Sequence, residues 1–177
     1  NPEWIASDLI GQAEHDNMAQ CILISKDKLI ISKVNEEINK QLKDLPRTTI
    51  AKNSLFNNGI LIHMQSDQKI IDTINKIAPE HLELNIKNYK SMVSKIKNSG
   101  SICLGKYAVM AMTDYGVPGS NHVLPTNTSS RYSSGLSVSE FIKKISLINL
   151  SKKGIETLGS SVITLANYEG LVGHARS

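Results

Sequence analysis

The chain has 177 residues, the size of one domain or of one domain with a small appendage. Hydrophobic residues make up 40% of it and charged residues 20%, so a core can form, and an aromatic share of only 5% leaves that core to aliphatic side chains. The net charge of +4 is scattered apart from pairs such as Lys143-Lys144 and Lys152-Lys153, which argues against a dedicated nucleic-acid surface. No run approaches the roughly 18 apolar residues of a membrane-spanning helix. The opening NPEWIASDLIGQAEHD has neither the basic region nor the apolar segment of a secretory leader. It lacks an initiator methionine and enters a helix pattern almost at once, so the chain reads as a piece of something longer. Cys21 and Cys103 lie in apolar runs and read as core thiols of a reducing, cytoplasmic compartment.

In chain order, residues 4–15 alternate at helical spacing. Ile5, Leu9 and Ala13 form an apolar stripe, and Asp8, Gln12 and His15 form a polar one beside it. CILIS (21–25) reads as a short buried strand. Asp27 to Leu45 reads as an amphipathic helix with Leu29, Ile30, Val34, Ile38 and Leu42 inward, closed by Pro46. A shorter helix near Ala51 to Phe56 and an Asn57-Asn58-Gly59 turn lead into the strand ILIHM, where His63 reads as a satisfied core histidine. Ser66 and Asp67 can cap a helix that runs to Ala78 and stops at Pro79. HLEL is then a strand, Tyr89 to Lys97 a helix and SICLG a strand. Met112 to Gly135 is rich in Gly, Pro, Ser, Thr and Asn, a long loop of the kind that usually carries function. Beyond it Val138 to Leu150 and Ile155 to Val172 are helix-periodic, with a break at Lys152-Lys153-Gly154. The pattern predicts an α/β fold, a partial Rossmann-like layered unit with mostly parallel strands covered on both faces, over residues 1–136. A small C-terminal helical domain, a helical hairpin, follows over 137–177.

Several polar residues could carry chemistry. Gln12 and His15, three apart on a helix, can reach one metal ion, although the same pattern describes an exposed polar face. Pro79-Glu80-His81 joins a carboxylate and an imidazole directly after a helix stop. A Glu can activate water and a His can accept a proton near neutral pH, and a capping Glu beside a solvated His would look the same. Asp114 and His122 lie in the long loop, where an Asp offers a hard oxygen ligand. Glu169 and His174 close the last helix, where the helix dipole alone would account for a His. No two glycines are two residues apart, so no G-x-G-x-x-G fingerprint is present, and the Gly116/Gly119 and Gly170/Gly173 pairs are too generic to count.

In order, IASDLIGQAEHD, LPRTTIAKNSL, IAPEHLEL, NSGSICLGKY, DYGVPGSNHVLPT, SSGLSVSEFIKK and LANYEGLVGHA resemble the histidinol dehydrogenase family across essentially the whole chain. QAEH, APEHLEL and NHVLPT in that order form the specific combination. The resemblance implies oxidation of L-histidinol through L-histidinal to L-histidine with two NAD, water and one zinc ion. It implies Gln12, His15, Asp114 and His174 as zinc ligands, Glu80 as the acid/base that activates water, and His81 as the base for the alcohol proton. The ligands together with His81 and Glu169 line the substrate position, and His122 borders the pocket. Residues for NAD are expected upstream of this chain, and a homodimer with exchanged C-terminal arms is expected, with no nucleic acid and no membrane as partner. The loop from Asp114 to Asn121 is one residue longer than the family's, Ala108-Val109-Met110 replaces a typical Ser-Pro-Glu, and Thr113 a typical Gly. A non-catalytic zinc-binding module and a different zinc-dependent reaction on the same scaffold stand as alternatives.

Overall fold

The computed structural model describes residues 1–116 and 121–177. It divides into two compact units, Asn1–Val138 and Ser139–Ser177.

The first unit begins with α1 (Pro2–Ala13), started by a proline in its first turn and by Asn1, whose side chain accepts from the Glu3 N–H. After β1 (Ile22–Ser25), Asp27 caps α2 (Lys28–Gln41), and α3 (Thr48–Asn58) leads into β2 (Ile60–His63). Ser66 caps α4 (Asp67–Ile77), which ends at Ala78 in the left-handed conformation, φ 52°. For a residue with a Cβ that geometry costs about 1–2 kcal/mol. It turns the chain sharply before Pro79 and aims it into β3 (His81–Leu84). α5 (Tyr89–Val93), β4 (Ser101–Leu104) and α6 (Met110–Tyr115) follow.

The strands form two separate parallel pairs, β1 with β2 and β3 with β4, each joined through helices. Two apolar clusters hold the unit. Ala6, Ile10 and Ala13 of α1 meet Val34, Ile38 and Leu42 of the second helical segment, together with Cys21 and Ala51. Ile70, Ile71 and Ile74 of α4 meet Leu84 and Met92, with Leu82 and Ile102 packed alongside. β3 therefore has two distinct faces. Leu82 and Leu84 turn to the helices, and the alternate residues His81 and Glu83 turn the other way.

Several sequence expectations are corrected. α2 ends at Gln41 rather than Leu45, and Leu29 is 67% exposed instead of inward, because it stands in the first turn beyond the reach of α1. β2 is largely open: Ile60 and Leu61 are exposed while Ile62 is half-buried, and His63 is exposed too, its Nε2 3.1 Å from the Lys26 carbonyl. α5 stops at Val93, four residues early. The long loop is shorter than expected, since α6 takes up its beginning. Its residues 117–120, including Gly119, lie outside the described residues.

In the second unit the expected hairpin is a single long helix, α7 (Lys152–Tyr168), followed by the short α8 (Val172–Arg176). Lys152-Lys153-Gly154 forms the first turn of α7, capped by Ser151, instead of a break. Of Val138 to Leu150 only Val138–Phe141 turns, as a 3-10 helix. Ile142, Ile145, Leu147 and Ile148 are exposed, and a short amphipathic segment with nothing to bury its apolar face does not hold a helix.

The core assignment is testable by chemical denaturation. Leu42→Ala, at a side chain 1% exposed, is expected to lower the unfolding free energy by about 2–5 kcal/mol. Leu29→Ala should change it by less than about 0.5 kcal/mol.

Candidate active site

The polar face of β3 is the centre of the site. His81 is its first residue, placed by the αL turn at Ala78 and by Pro79. Two bonds at the start of β4, Gly100 N–H just before it to the Pro79 carbonyl (2.9 Å) and Ser101 N–H to the Glu80 carbonyl (2.8 Å), hold the Pro79-Glu80 bend. A Cβ on Gly100 would come within 2.6 Å of the Glu80 carbonyl oxygen and 3.1 Å of Pro125, so only glycine permits this approach. The segment carrying NHVLPT folds over the same bend. Ser130 Oγ donates to the Ala78 carbonyl (3.0 Å), and the Arg131 guanidinium donates to the Lys76 carbonyl. Asn121 donates to the Leu136 carbonyl while its Oδ1 accepts from the Val123 N–H, and Leu136 N–H returns to the Val123 carbonyl (3.0 Å), which closes the segment on itself.

Asp114, on α6, is the buried carboxylate of the group, its side chain 6% exposed. One of its oxygens lies 3.5 Å from His122 Nδ1 and 4.0 Å from His81 Nε2. The His122 ring in turn leans against Tyr115, with centroids 6.4 Å apart. Both ring nitrogens of His81 and the Oε1 of Gln12 are buried without a hydrogen-bond partner. Buried polar atoms of this kind are rare, and each calls for a ligand or water to meet it.

Of the residues singled out from the sequence, the structure thus gathers His81, Asp114 and His122. Gln12 is on the last turn of α1 with its side-chain oxygen buried, but His15 is not on the helix as expected. α1 ends at Ala13, and His15 stands exposed in the following turn, its N–H reaching back to the Gln12 carbonyl (3.4 Å). The Glu80 carboxyl is half-buried and makes no hydrogen bond among the described residues. Glu169 and His174 belong to the second unit, where Glu169 caps α7 and His174 lies in α8, both exposed. Among the described residues no three His, Cys, Asp or Glu side chains form a ready-made metal cage. The donor set nevertheless fits a borderline divalent cation: an amide oxygen with no partner, a buried carboxylate, and imidazoles beside it.

Sequence reasoning passed over Glu83 and over its pairing with Asp8, which it had placed only on a polar stripe. Glu83 shares the His81 face of β3, and its Oε1 accepts the Met110 N–H (3.1 Å) at the start of α6. Its carboxyl is in hydrogen-bonding reach of Asp8 on α1. Burial and the neighbouring Asp8 charge push the Glu83 carboxyl up to about 7 from its ordinary 4.5, and burial raises Asp8 as well. The signal in the sequence was a Glu alternating with leucines in HLEL, opposite a helical Asp one turn before Gln12. Cys103 pairs in register with Glu83, and its thiol is pushed up to about 11 by burial and by Glu83, Asp8 and Asp114, so it stays protonated and inert at neutral pH. Cys21, also free and buried, is raised to about 11 by its burial.

A buried carboxylate between two imidazoles on a parallel α/β body can hold a cation or move a proton. The family model described as histidinol dehydrogenase matches residues 1–177. The chain is 84% identical over all of its length to the histidinol dehydrogenase of Pelagibacter ubique (strain HTCC1062) and 45% identical to that of Nitrosomonas europaea. It spans 41% of the length of each of these relatives. The crystal structure of histidinol dehydrogenase from Elizabethkingia anophelis superposes with a TM-score of 0.85 at 39% identity, over 99% of this chain and 40% of that one. The chain belongs to the histidinol dehydrogenase family.

The raised Glu83 has a consequence for stability. A carboxyl that holds its proton more tightly folded than unfolded contributes fully below its unfolded pKa, and that contribution is lost as pH rises through about 7. The thermal midpoint is expected to fall between about pH 5 and about pH 8, and Glu83→Gln should flatten the fall, as read by calorimetry across that range.

Proposed function

We propose that this chain is the part of a histidinol dehydrogenase that holds the metal ligands and the acid/base groups, and that the complete protein oxidises L-histidinol through L-histidinal to L-histidine. In this reading residues 1–136 are the second half of the catalytic α/β domain and residues 137–177 a C-terminal arm. What supports it is the buried Asp114 with His81 and His122 at 4.0 and 3.5 Å, set among family motifs that run through the whole chain.

The proton work falls to two side chains. Both ring nitrogens of His81 are without a hydrogen bond among the described residues, so one of them can take the alcohol proton as the carbinol carbon gives up its hydride. Glu80, in the bend before it, takes a proton from the water that adds to the aldehyde, and the hydrate then gives up a second hydride. Each hydride goes to one NAD, so the two oxidations consume two NAD and one water. Zinc, when bound, would supply a Lewis-acidic anchor for the imidazole and amine of the substrate, a matter of orientation. Gln12, His15, Asp114 and His174 would hold it. The Asp114 carboxylate, kept from solvent, favours a cation beside it, and the substrate-lining set is these four with His81 and Glu169. No residue of this chain is assigned to NAD.

His174 and Glu169 would come from the arm of a second copy in a homodimer. The arm supports this by its apolar surface: Phe141, Leu147 and Ile148 are 80%, 93% and 83% exposed, more than a monomer ordinarily leaves bare. No helix among the described residues is long and apolar enough to cross a membrane, and we assign the protein to the cytoplasm without nucleic acid as a partner.

The test separates bases from ligands in the complete reading frame. His81→Asn should lower NADH formation from histidinol by about 10²–10⁴-fold while zinc content stays at the parent's level. Asp114→Ala or His15→Ala should lower zinc content first. A parent protein that binds zinc but forms no NADH from histidinol would leave a non-catalytic zinc module or a different reaction on this scaffold.

A further inference from the structure

Asp8 on α1 and Glu83 on β3 bring their carboxyls into hydrogen-bonding reach of each other. Neither forms an ion pair with a Lys, Arg or His in the described residues. The Cys103 thiol lies close enough to feel Glu83, Asp8 and Asp114, and it brings no positive charge. Two carboxyls in contact in a half-buried setting cannot both be ionised at low cost, so one holds a proton and donates it to the other. Their positions matter more than their charge. Asp8 is one helical turn before Gln12 on α1. Glu83 is two residues after His81 on β3, on the same face. The Glu83 Oε1 accepts the N–H of Met110, the first residue of α6, whose next turn presents Asp114. The Asn85 amide donates to the second Glu83 oxygen (3.3 Å) and fixes the carboxyl plane.

We propose that the Asp8–Glu83 carboxyl pair is the positioning device of the site, locking together the three elements that carry Gln12, His81 and Asp114. Neither residue touches the reacting atoms. Partners one shell away from a metal typically change its affinity or the activity by 10–100-fold when removed, and this pair acts on one ligand helix, one base strand and one ligand helix at once. The inference rests on the functional reading above, because it assigns the pair to that site.

The experiment uses the complete protein and four variants: Glu83→Ala, Glu83→Gln, Asp8→Ala and Asp8→Asn. Zinc affinity is read by competition with a chromophoric chelator, and kcat and KM for histidinol are read on zinc-loaded protein. Glu83→Ala and Asp8→Ala are expected to weaken zinc binding and lower kcat by about 10–100-fold. Glu83→Gln, which keeps an acceptor for Met110 and gains a donor for Asp8, should restore most of both, as should Asp8→Asn. A purely structural pair would lower the thermal midpoint and leave zinc affinity and kcat of the folded protein at parent values, and that result would overturn the inference. So would a Gln variant as defective as the Ala variant. Should Glu83→Ala fail to fold, Asp8→Ala carries the same test, since alanine suits the helix and leaves the Met110 acceptor in place. A parent that binds zinc yet forms no NADH would overturn the functional reading alone, with the zinc measurements still deciding the role of the pair. A parent that binds no zinc would end both.

Discussion

Three buried polar atoms, the Gln12 side-chain oxygen and the two ring nitrogens of His81, have no hydrogen-bond partner among the described residues, and the first unit holds them in place all the same. Each such atom costs about 1–3 kcal/mol relative to water. A fold tolerates that where something outside the polypeptide supplies the missing partner. The buried Asp114 carboxylate, 4.0 Å from His81 Nε2, would favour a positively charged or hydrogen-bond-donating partner beside it.

The architecture keeps these groups from relaxing. The apolar face of β3 is pinned against α4 and Met92, so the polar face cannot rotate away. The left-handed Ala78, the glycine that admits the Glu80 carbonyl, and the Ser130 and Arg131 bonds to the end of α4 hold the Pro79-Glu80-His81 bend from three directions. Asn127 and Thr128 pay into the same arrangement with positive φ values of 48° and 65°, strained for a β-branched Thr.

Much of this was legible in the residues. The strand runs, the α4 cap at Ser66 and its stop at Pro79 follow from local rules that the structure obeys, and the parallel pairing follows from strands alternating with helices. The motif order identified the family before any coordinate did. What escaped was set by tertiary context. Periodicity placed Leu29 inward because it cannot see which stretch of a helix has a neighbour. It made Val138 to Leu150 a helix because it cannot see that Ile145 and Leu147 stand exposed among the described residues. It put Asp114 in a loop, since a six-residue helix between Val109 and Gly116 leaves little pattern. The pairing of Asp8 with Glu83 escaped because the two carboxyls lie 75 positions apart in sequence (83 minus 8) and meet only in the folded chain.

Anomalous diffraction at the zinc edge, on crystals of the complete protein grown with zinc, tests the metal assignment most directly. A cation answering the orphaned oxygen gives a peak about 2.0–2.2 Å from an Asp114 carboxylate oxygen and from imidazole nitrogen, with Gln12 Oε1 turned toward it and no sulfur in the shell. A peak seated on the Cys103 sulfur, or one remote from Gln12 and Asp114, would contradict it.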